Sequence, residues 1–198
     1  ALLLKKDDET DESLTETRGW LANSLGDDVE DVSHSSKVQV LLAIVTRILT
    51  ETQDKVVLVS GFTRMLDLVN KALEVIGTGI CRLDGGTNQA DRELAVNQFQ
   101  KDKNYRIFLL STRAGGVGLN LFVANRLILL DGDWNPANDE QALARVWRDG
   151  QTQHTYIYRL EMTGGMDEKI LQRQLQKQKL TQLNELETEL TWVNFAQE

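Results

Sequence analysis

Residues 109–120 read Leu-Leu-Ser-Thr-Arg-Ala-Gly-Gly-Val-Gly-Leu-Asn, and this stretch joins the end of an apolar run to a loop with three glycines. In an open parallel sheet, ligands bind where strands end, and glycines at that place let the backbone approach a phosphate. A tight turn that requires glycine would explain the loop equally well, so both interpretations stay open at this point. The spacing is not Gly-x-Gly-x-x-Gly, which argues against a Rossmann dinucleotide site.

Apolar runs and helical periods alternate on both sides of this stretch. Residues 56–59 form a continuous apolar run, which is typical of a strand buried on both faces. The pattern predicts strands at 56–59, 81–83, 106–110, 126–130 and 155–160, and helices at 38–49, 66–73, 89–100, 136–148 and 167–190. Asn135 is the expected N-cap of the fourth helix, with Pro136 at its first position. Strands that alternate with helices predict an α/β fold of three layers with about five or six mainly parallel strands, and a polar last helix outside the core.

The charge of the chain is unevenly distributed. The 198 residues include 22 Lys and Arg against 30 Asp and Glu, a net charge of −8. Residues 1–36 hold ten of these acids and three of the bases, which leaves residues 37–198 with a net charge of −1. The acidity therefore belongs to a leader that we expect to be mobile. It does not exclude nucleic acid as a partner of the remaining residues.

Cysteine content and hydropathy indicate the compartment. The single cysteine, Cys81, permits no internal disulfide, which is typical of a reducing compartment. No apolar run reaches the roughly 18 residues that a membrane-spanning helix needs. The first residues also lack the pattern of a secretory signal. We therefore expect an intracellular protein.

Residues 141–151 read Gln-Ala-Leu-Ala-Arg-Val-Trp-Arg-Asp-Gly-Gln and contain a pair of arginines. Arg145 and Arg148 lie three residues apart at the end of the predicted helix 136–148, so both guanidiniums should point the same way. Two such groups can clamp a phosphate, although the helix dipole alone also favours cations at this place. The chain has no Gly-x-x-x-x-Gly-Lys-[Ser/Thr] motif to cradle that phosphate, and its two histidines and one cysteine suggest neither a metal cluster nor a catalytic triad.

Four sequence motifs follow one another in a fixed order. They lie at 55–63, at 82–87 with Arg92 and Phe99, at 111–121, and at 141–151. In this order they make residues 37–180 resemble the second RecA-like lobe of a SWI/SNF-type superfamily 2 ATPase. Residues 133–139 and 144–151 are similar to the homologous-recombination DNA translocases, whereas nucleosome remodellers more often read Arg-x-His-Arg-Ile-Gly-Gln at the second place.

The resemblance implies roles for individual residues. Arg145 and Arg148 match the arginine fingers that reach ATP bound on a first lobe. The positions that match nucleotide contact or coupling between the lobes are Gln141, Gly116, Gly118 and Asn120. The positions that match DNA contact are Thr63, Asp84, Gly85, Thr87, Ser111, Thr112, Arg113 and Gly115. No residue of this chain matches a metal ligand.

The same resemblance implies cofactors and partners. ATP with Mg²⁺ would be held mainly by a first lobe that these residues do not include, so the chain alone is expected to be nearly inactive. Double-stranded DNA, the first lobe and a strand-exchange recombinase filament are the implied partners, and the nucleus is the implied location. The expected division is an acidic leader at 1–36, the RecA-like lobe at 37–165 and a helical extension at 166–198.

Other interpretations stay open beside this one. The chain could instead be a lobe of a chromatin-remodelling ATPase, a non-catalytic interaction module with the same fold, or a self-contained Rossmann-like enzyme. Two departures from the family pattern concern the DNA contacts: Phe62 follows Gly61 where an Asn and an aromatic residue are usual, and Gly86 replaces a Ser or Thr. Trp134 is either an element beside the cleft between the lobes or a core residue.

Overall fold

The computed structural model describes residues 35–114, 119–147 and 151–181. Its strands are β1 (Val56–Ser60), β2 (Gly79–Leu83), β3 (Tyr105–Ser111), β4 (Arg126–Leu129) and β5 (Tyr156–Arg159). Its helices are α1 (Ser36–Glu51), α2 (Thr63–Leu73), α3 (Gln89–Lys101), α4 (Pro136–Leu143) and α5 (Met166–Thr181), with short 3₁₀ turns at Glu74–Ile76 and Thr112–Ala114. The strands form one sheet in the order β2-β3-β1-β4-β5, and all neighbouring pairs are parallel. The predicted α/β fold is confirmed.

Two helical layers cover the two faces of this sheet. Successive residues of a strand point to opposite faces, so each central strand supplies both layers. Leu58 of β1 and its register partners Leu109 and Ile128 are fully buried against α1 and α2. Phe108 points the other way and meets Phe99 of α3 edge to face, with 5.1 Å between the ring centroids.

α4 begins where the sequence predicts but ends earlier. Asn135 caps the helix and Pro136 is its first residue. The last helical residue is Leu143, so the prediction that the helix continues to residue 148 is wrong. Beyond Leu143 the backbone changes to i→i−3 bonds, from the Arg145 N–H to the Ala142 carbonyl at 3.3 Å and from the Val146 N–H to the Leu143 carbonyl at 3.0 Å, and the Arg145 carbonyl accepts a hydrogen bond from the Leu121 N–H at 3.1 Å. Arg145 therefore lies in a turn beyond the helix, and the argument that placed both arginines on one helical face loses its basis.

α5 is polar, as predicted, but it contributes to the interior. Ile170 and Gln174 are 8% and 2% exposed, so the prediction that this helix stays outside the core is wrong. The Gln174 amide donates a hydrogen bond to Asp139 of α4 at 2.9 Å, and Arg159 of β5 donates to the same carboxylate at 3.1 Å. Burial raises the pKa of Asp139, and the contacts with Gln174 and Arg159 offset part of that rise.

A second buried carboxylate, Glu161, lies beside this cluster. Among the described residues no hydrogen-bond donor reaches either of its carboxylate oxygens, and the nearest cation, the Arg159 Nε, is 3.9 Å away. Burial raises the pKa of Glu161 to about 7. Lys37 of α1 is bonded instead to Asp167 in the first turn of α5 and to the Leu130 carbonyl. We call the set Lys37, Asp139, Arg159, Glu161, Asp167 and Gln174 the α5 joint.

Two further features complete the fold. Cys81 is buried in β2, and burial raises the pKa of its thiol to about 11. In the part of the chain that the structure describes, no helix is long and apolar enough to cross a membrane. The predicted acidic leader, up to residue 34, and the predicted helical segment 182–190 lie outside the described residues.

Candidate functional site

The predicted site residues follow three neighbouring strands. β1, β2 and β3 end at Ser60, Leu83 and Ser111, and Ser60 pairs with Ser111 in register. Because all the strands run in the same direction, the loops that follow them emerge at one edge of the sheet. Thr63, the loop Asp84–Thr87 and Thr112 all come within four residues of a strand end. The structure therefore brings these predicted positions to one edge, whereas Ser111 itself is buried.

The loop after β1 is held from two sides. The buried Ser60 hydroxyl accepts a hydrogen bond from the Phe62 N–H at 2.9 Å, which shapes a tight turn into α2. The Gly61 N–H donates to the Asp131 carboxylate, which follows β4, also at 2.9 Å. Burial raises the pKa of Asp131. Thr63 is thereby placed as the exposed first residue of α2.

The loop Asp84–Thr87 is organised by its own first side chain. The Asp84 carboxylate accepts hydrogen bonds from the Gly86 N–H at 3.0 Å and from the Arg82 Nε at 2.9 Å. Although burial acts in the opposite direction, these contacts hold the pKa of Asp84 below its ordinary value. The Thr87 hydroxyl accepts from the Asp84 N–H at 3.0 Å. A Cβ added to Gly85 would meet no atom within 4 Å, so space alone does not require glycine there.

The segment after β3 is described on both sides of residues 115–118. The turn Thr112–Ala114 precedes them, and its last carbonyl accepts a hydrogen bond from Nη1 of Arg92 in α3 at 2.9 Å. On the other side, the Asn120 carbonyl accepts from Nε2 of Gln100, also in α3, at 2.8 Å. Gly115, Gly116 and Gly118 lie outside the described residues, and the structure makes no statement about the Arg113 side chain.

The arginine motif connects to this segment through the backbone. Gln141 is exposed on α4, and Arg145 is half-buried in the turn that follows. Arg148 lies outside the described residues, so its predicted place beside Arg145 stays a prediction. The sequence predicted no contact for Gln151. Its side-chain amide donates hydrogen bonds to the Phe122 carbonyl at 2.9 Å and to the Ala124 carbonyl at 2.8 Å. Its position as the last residue of the motif was the only signal for it.

Trp134 lies on the surface beside α5. Its side chain is 49% exposed, so the interpretation as a core residue is wrong. The Arg173 guanidinium lies 5.3 Å from the centre of its ring, and Lys177 donates a hydrogen bond to its carbonyl at 3.1 Å. Trp134 and Arg173 border a groove of about 450 Å³. Whether this surface faces another lobe stays a prediction.

The described edge offers hydrogen-bond donors, and the chain adds one arginine, all of a kind that suits a phosphate group. The edge presents backbone N–H groups and the hydroxyls of Thr63 and Thr112, and Arg145 supplies a permanent cation nearby in the chain. No three His, Cys, Asp or Glu side chains come together as metal ligands within residues 35–114, 119–147 and 151–181. Hydroxyl groups and a guanidinium would fit contacts to a nucleotide, whereas the described residues offer no cluster of ligands for Mg²⁺.

A five-stranded, all-parallel sheet with helices on both faces defines a RecA-like α/β domain. Residues 36–150 match the family model described as the helicase conserved C-terminal domain. The chain therefore belongs to this family, and the predicted resemblance is confirmed.

Three relatives and one solved structure show what the chain is similar to. It is 49% identical over 152 residues to DNA repair protein rhp54 of Schizosaccharomyces pombe, covering 76% of this chain and 18% of that protein. It is 47% identical to DNA repair and recombination protein RDH54 and 45% identical to DNA repair and recombination protein RAD54 of Saccharomyces cerevisiae, covering 75% and 88% of this chain and 16% and 19% of those proteins. The crystal structure of the C-terminal part of the Fun30 ATPase domain matches with a TM-score of 0.69 and 36% identity, covering 84% of this chain and 54% of that chain. The chain thus spans less than a fifth of the length of these curated relatives.

Proposed function

We propose that this chain is the second motor lobe of an ATP-dependent double-stranded DNA translocase that acts in homologous recombination and DNA repair. The observation that carries the proposal is the gathering of three motif loops at one sheet edge, with the turn of Arg145 tied to the same edge through Leu121. The names of the relatives, all DNA repair or recombination proteins, favour this role over chromatin remodelling.

The nucleotide contribution of this chain is electrostatic. ATP with Mg²⁺ would be held mainly by a first lobe. The reaction is the transfer of the terminal phosphoryl group of ATP to water. Arg145 and Arg148 offer fixed positive charge to the oxygens on which negative charge grows during that transfer. Arginine suits this role because its guanidinium stays charged and donates hydrogen bonds in a planar fork. Gln141, Gly116, Gly118 and Asn120 would orient this segment against the first lobe.

The DNA contribution is contact with phosphates. The exposed Thr63 at the start of α2, the loop Asp84–Thr87 and the turn from Thr112 would lie along one strand, joined by Arg113 and Gly115, whereas the buried Ser111 would only support this turn. Such contacts read no base edges, so binding should be independent of sequence and should weaken as salt rises. The proposal includes a nuclear location and a strand-exchange recombinase filament as partner.

The arginine finger is the part of the proposal to test first. In the natural full-length protein, we expect Arg148→Ala to lower DNA-stimulated ATP hydrolysis by about 10³-fold or more, because an arginine finger is worth roughly 10³–10⁵ in rate. DNA binding, measured by fluorescence anisotropy, should be retained. The matched control is Arg47→Ala, which removes an exposed arginine of α1 whose side chain is 77% accessible.

Two results would contradict the proposal. An unchanged rate in Arg148→Ala, or no hydrolysis by the parent protein, would favour the non-catalytic interaction module. The 198-residue chain on its own is expected to hydrolyse ATP far more slowly than the full-length protein, because the phosphate cradle belongs to the first lobe. Equal rates per molecule would show that the first lobe is not needed.

A further inference from the structure

α3 carries an arginine on the face that packs against the sheet. Arg92, Val96 and Phe99 lie at positions i, i+4 and i+7, so they share one face of the helix. Phe99 is fully buried, Val96 packs against the core and Arg92 is half-buried. A guanidinium in such a place needs a hydrogen-bond acceptor. It has one in the Ala114 carbonyl, to which Nη1 donates at 2.9 Å.

This contact fixes a functional turn. Ala114 ends the turn Thr112–Ala114 and is only 3% exposed. A hydrogen bond from a charged donor is stronger than a neutral one, so it holds the carbonyl firmly. Eight residues further along α3, Gln100 holds the Asn120 carbonyl at 2.8 Å. One rigid helix therefore holds both described flanks of residues 115–118.

The same helix is connected to the other predicted contacts. It begins directly after the loop Asp84–Thr87, where Asn88 caps it by accepting from the Asp91 N–H at 2.9 Å. Beyond Asn120, the Leu121 N–H donates to the Arg145 carbonyl at 3.1 Å. α3 is thus the common support of two predicted DNA-contact segments and of the turn that carries a predicted arginine finger.

We propose that Arg92 is a positioning residue for the DNA-stimulated step of ATP hydrolysis, acting through the Ala114 carbonyl and without touching the nucleotide. The inference rests on the proposed function. A DNA strand that contacts Thr87 and Thr112 would be bound by two loops. α3 fixes the position of these two loops relative to each other. Without Arg92, the turn Thr112–Ala114 loses the hydrogen bond that connects it to α3. DNA contact at Thr112 then no longer fixes the position of the backbone next to Arg145.

The kinetic test uses the natural full-length protein and its Arg92→Ala variant. We expect the DNA-stimulated kcat to fall roughly tenfold, while the rate without DNA and the KM for ATP stay within about twofold of the parent. Arg92→Lys should recover part of the loss, because an ammonium can donate to the same carbonyl. Gln100→Ala should have a smaller effect, since it removes a neutral and more exposed hydrogen bond. Arg47→Ala is the matched control and should change none of these quantities.

Hydrogen–deuterium exchange measures the positioning separately from the motor activity. In Arg92→Ala, the amides of residues 112–121 should exchange faster, whereas those of β1 and β4 should keep their protection. Unchanged exchange at 112–121 would overturn the inference, even in a parent protein without DNA-stimulated hydrolysis. Faster exchange with an unchanged ratio of stimulated to basal rate would also overturn it. Equal loss of both rates together with a lower Tm would mean a purely structural role and would overturn it as well.

Discussion

The loops at the carboxyl edge and the α5 joint are both polar, yet they are built in opposite ways. In the loop Asp84–Thr87, the Asp84 carboxylate satisfies backbone donors close to the surface, and its charge remains near water, whereas Asp131 after β4 is more deeply buried. In the joint, Asp139 is 2% exposed, and both oxygens of Glu161 lie buried without a hydrogen bond from any described residue. The edge therefore shapes loops at small cost in stability, whereas the joint determines how firmly α5 is held.

Substitution of Arg159 is expected to have the largest effect among the tests that distinguish the joint from the edge. Arg159→Met should lower the free energy of unfolding by about 3 kcal/mol, because breaking a buried ion pair leaves Asp139 charged without its cation. Equilibrium unfolding in urea measures the change. The control Arg47→Met removes an exposed i,i+4 pair and should change stability by less than about 0.5 kcal/mol. Equal effects of the two variants would remove the distinction between joint and surface.

Glu161 tests the pH dependence of the joint. Its pKa is about 7 in the folded protein against 4.5 for the ordinary group, so between these values the folded state binds more protons than the unfolded state. Stability contributed by this residue is therefore lost as pH rises from about 4.5 to about 7, on the order of 3 kcal/mol in total.

Glu161→Gln should flatten that dependence, because the amide does not titrate. Urea unfolding at intervals between pH 4.5 and pH 8 gives the comparison, with Glu51→Gln on the surface of α1 as control. If parent and Glu161→Gln lose stability equally as pH rises, the carboxyl is not the group responsible.

Asp84 gives the smallest expected effect and represents the edge. Asp84→Ala removes the acceptor for the Gly86 N–H and the Arg82 guanidinium, yet water can replace it, so unfolding should become easier by only about 1 kcal/mol. In the full-length protein, Asp84→Ala should reduce the free energy of DNA binding by more than it reduces the free energy of unfolding. A decrease in the free energy of unfolding as large as that of Arg159→Met would show that the loops at the edge also contribute strongly to stability.

The sequence predicted the fold because its strongest signals are local. Residues 56–59 and 106–110 are apolar runs too short for helices, and both became central strands. The order of strands in the sheet was not predicted, since it depends on long-range pairing that no local period encodes. The end of α4 was missed for a similar reason: a hydrogen bond between Leu121 and Arg145 joins residues far apart in the chain.

The location of three candidate site residues at one sheet edge was predictable, whereas the contacts that support them were not, and their DNA contacts stay a prediction. Strand ends and motif order placed Thr63, Asp84 and Thr112, and the structure brings them to one edge. The prediction that the polar helix 167–190 lies outside the core included Gln174, because a glutamine on such a helix gives no sign of burial. Its burial follows from Asp139 and Arg159, which lie 35 and 15 residues away and become its neighbours only in the folded sheet.

The buried Cys81 makes the protein well suited to spectroscopy. It is the only cysteine of the chain, and a protonated, shielded thiol reacts slowly with maleimide dyes at neutral pH. A cysteine introduced at an exposed position such as Glu74 can therefore be labelled alone, without removing the native one. A dye attached there, paired with a second dye on DNA, would test the proposed DNA contact by measuring the distance between this domain and the duplex.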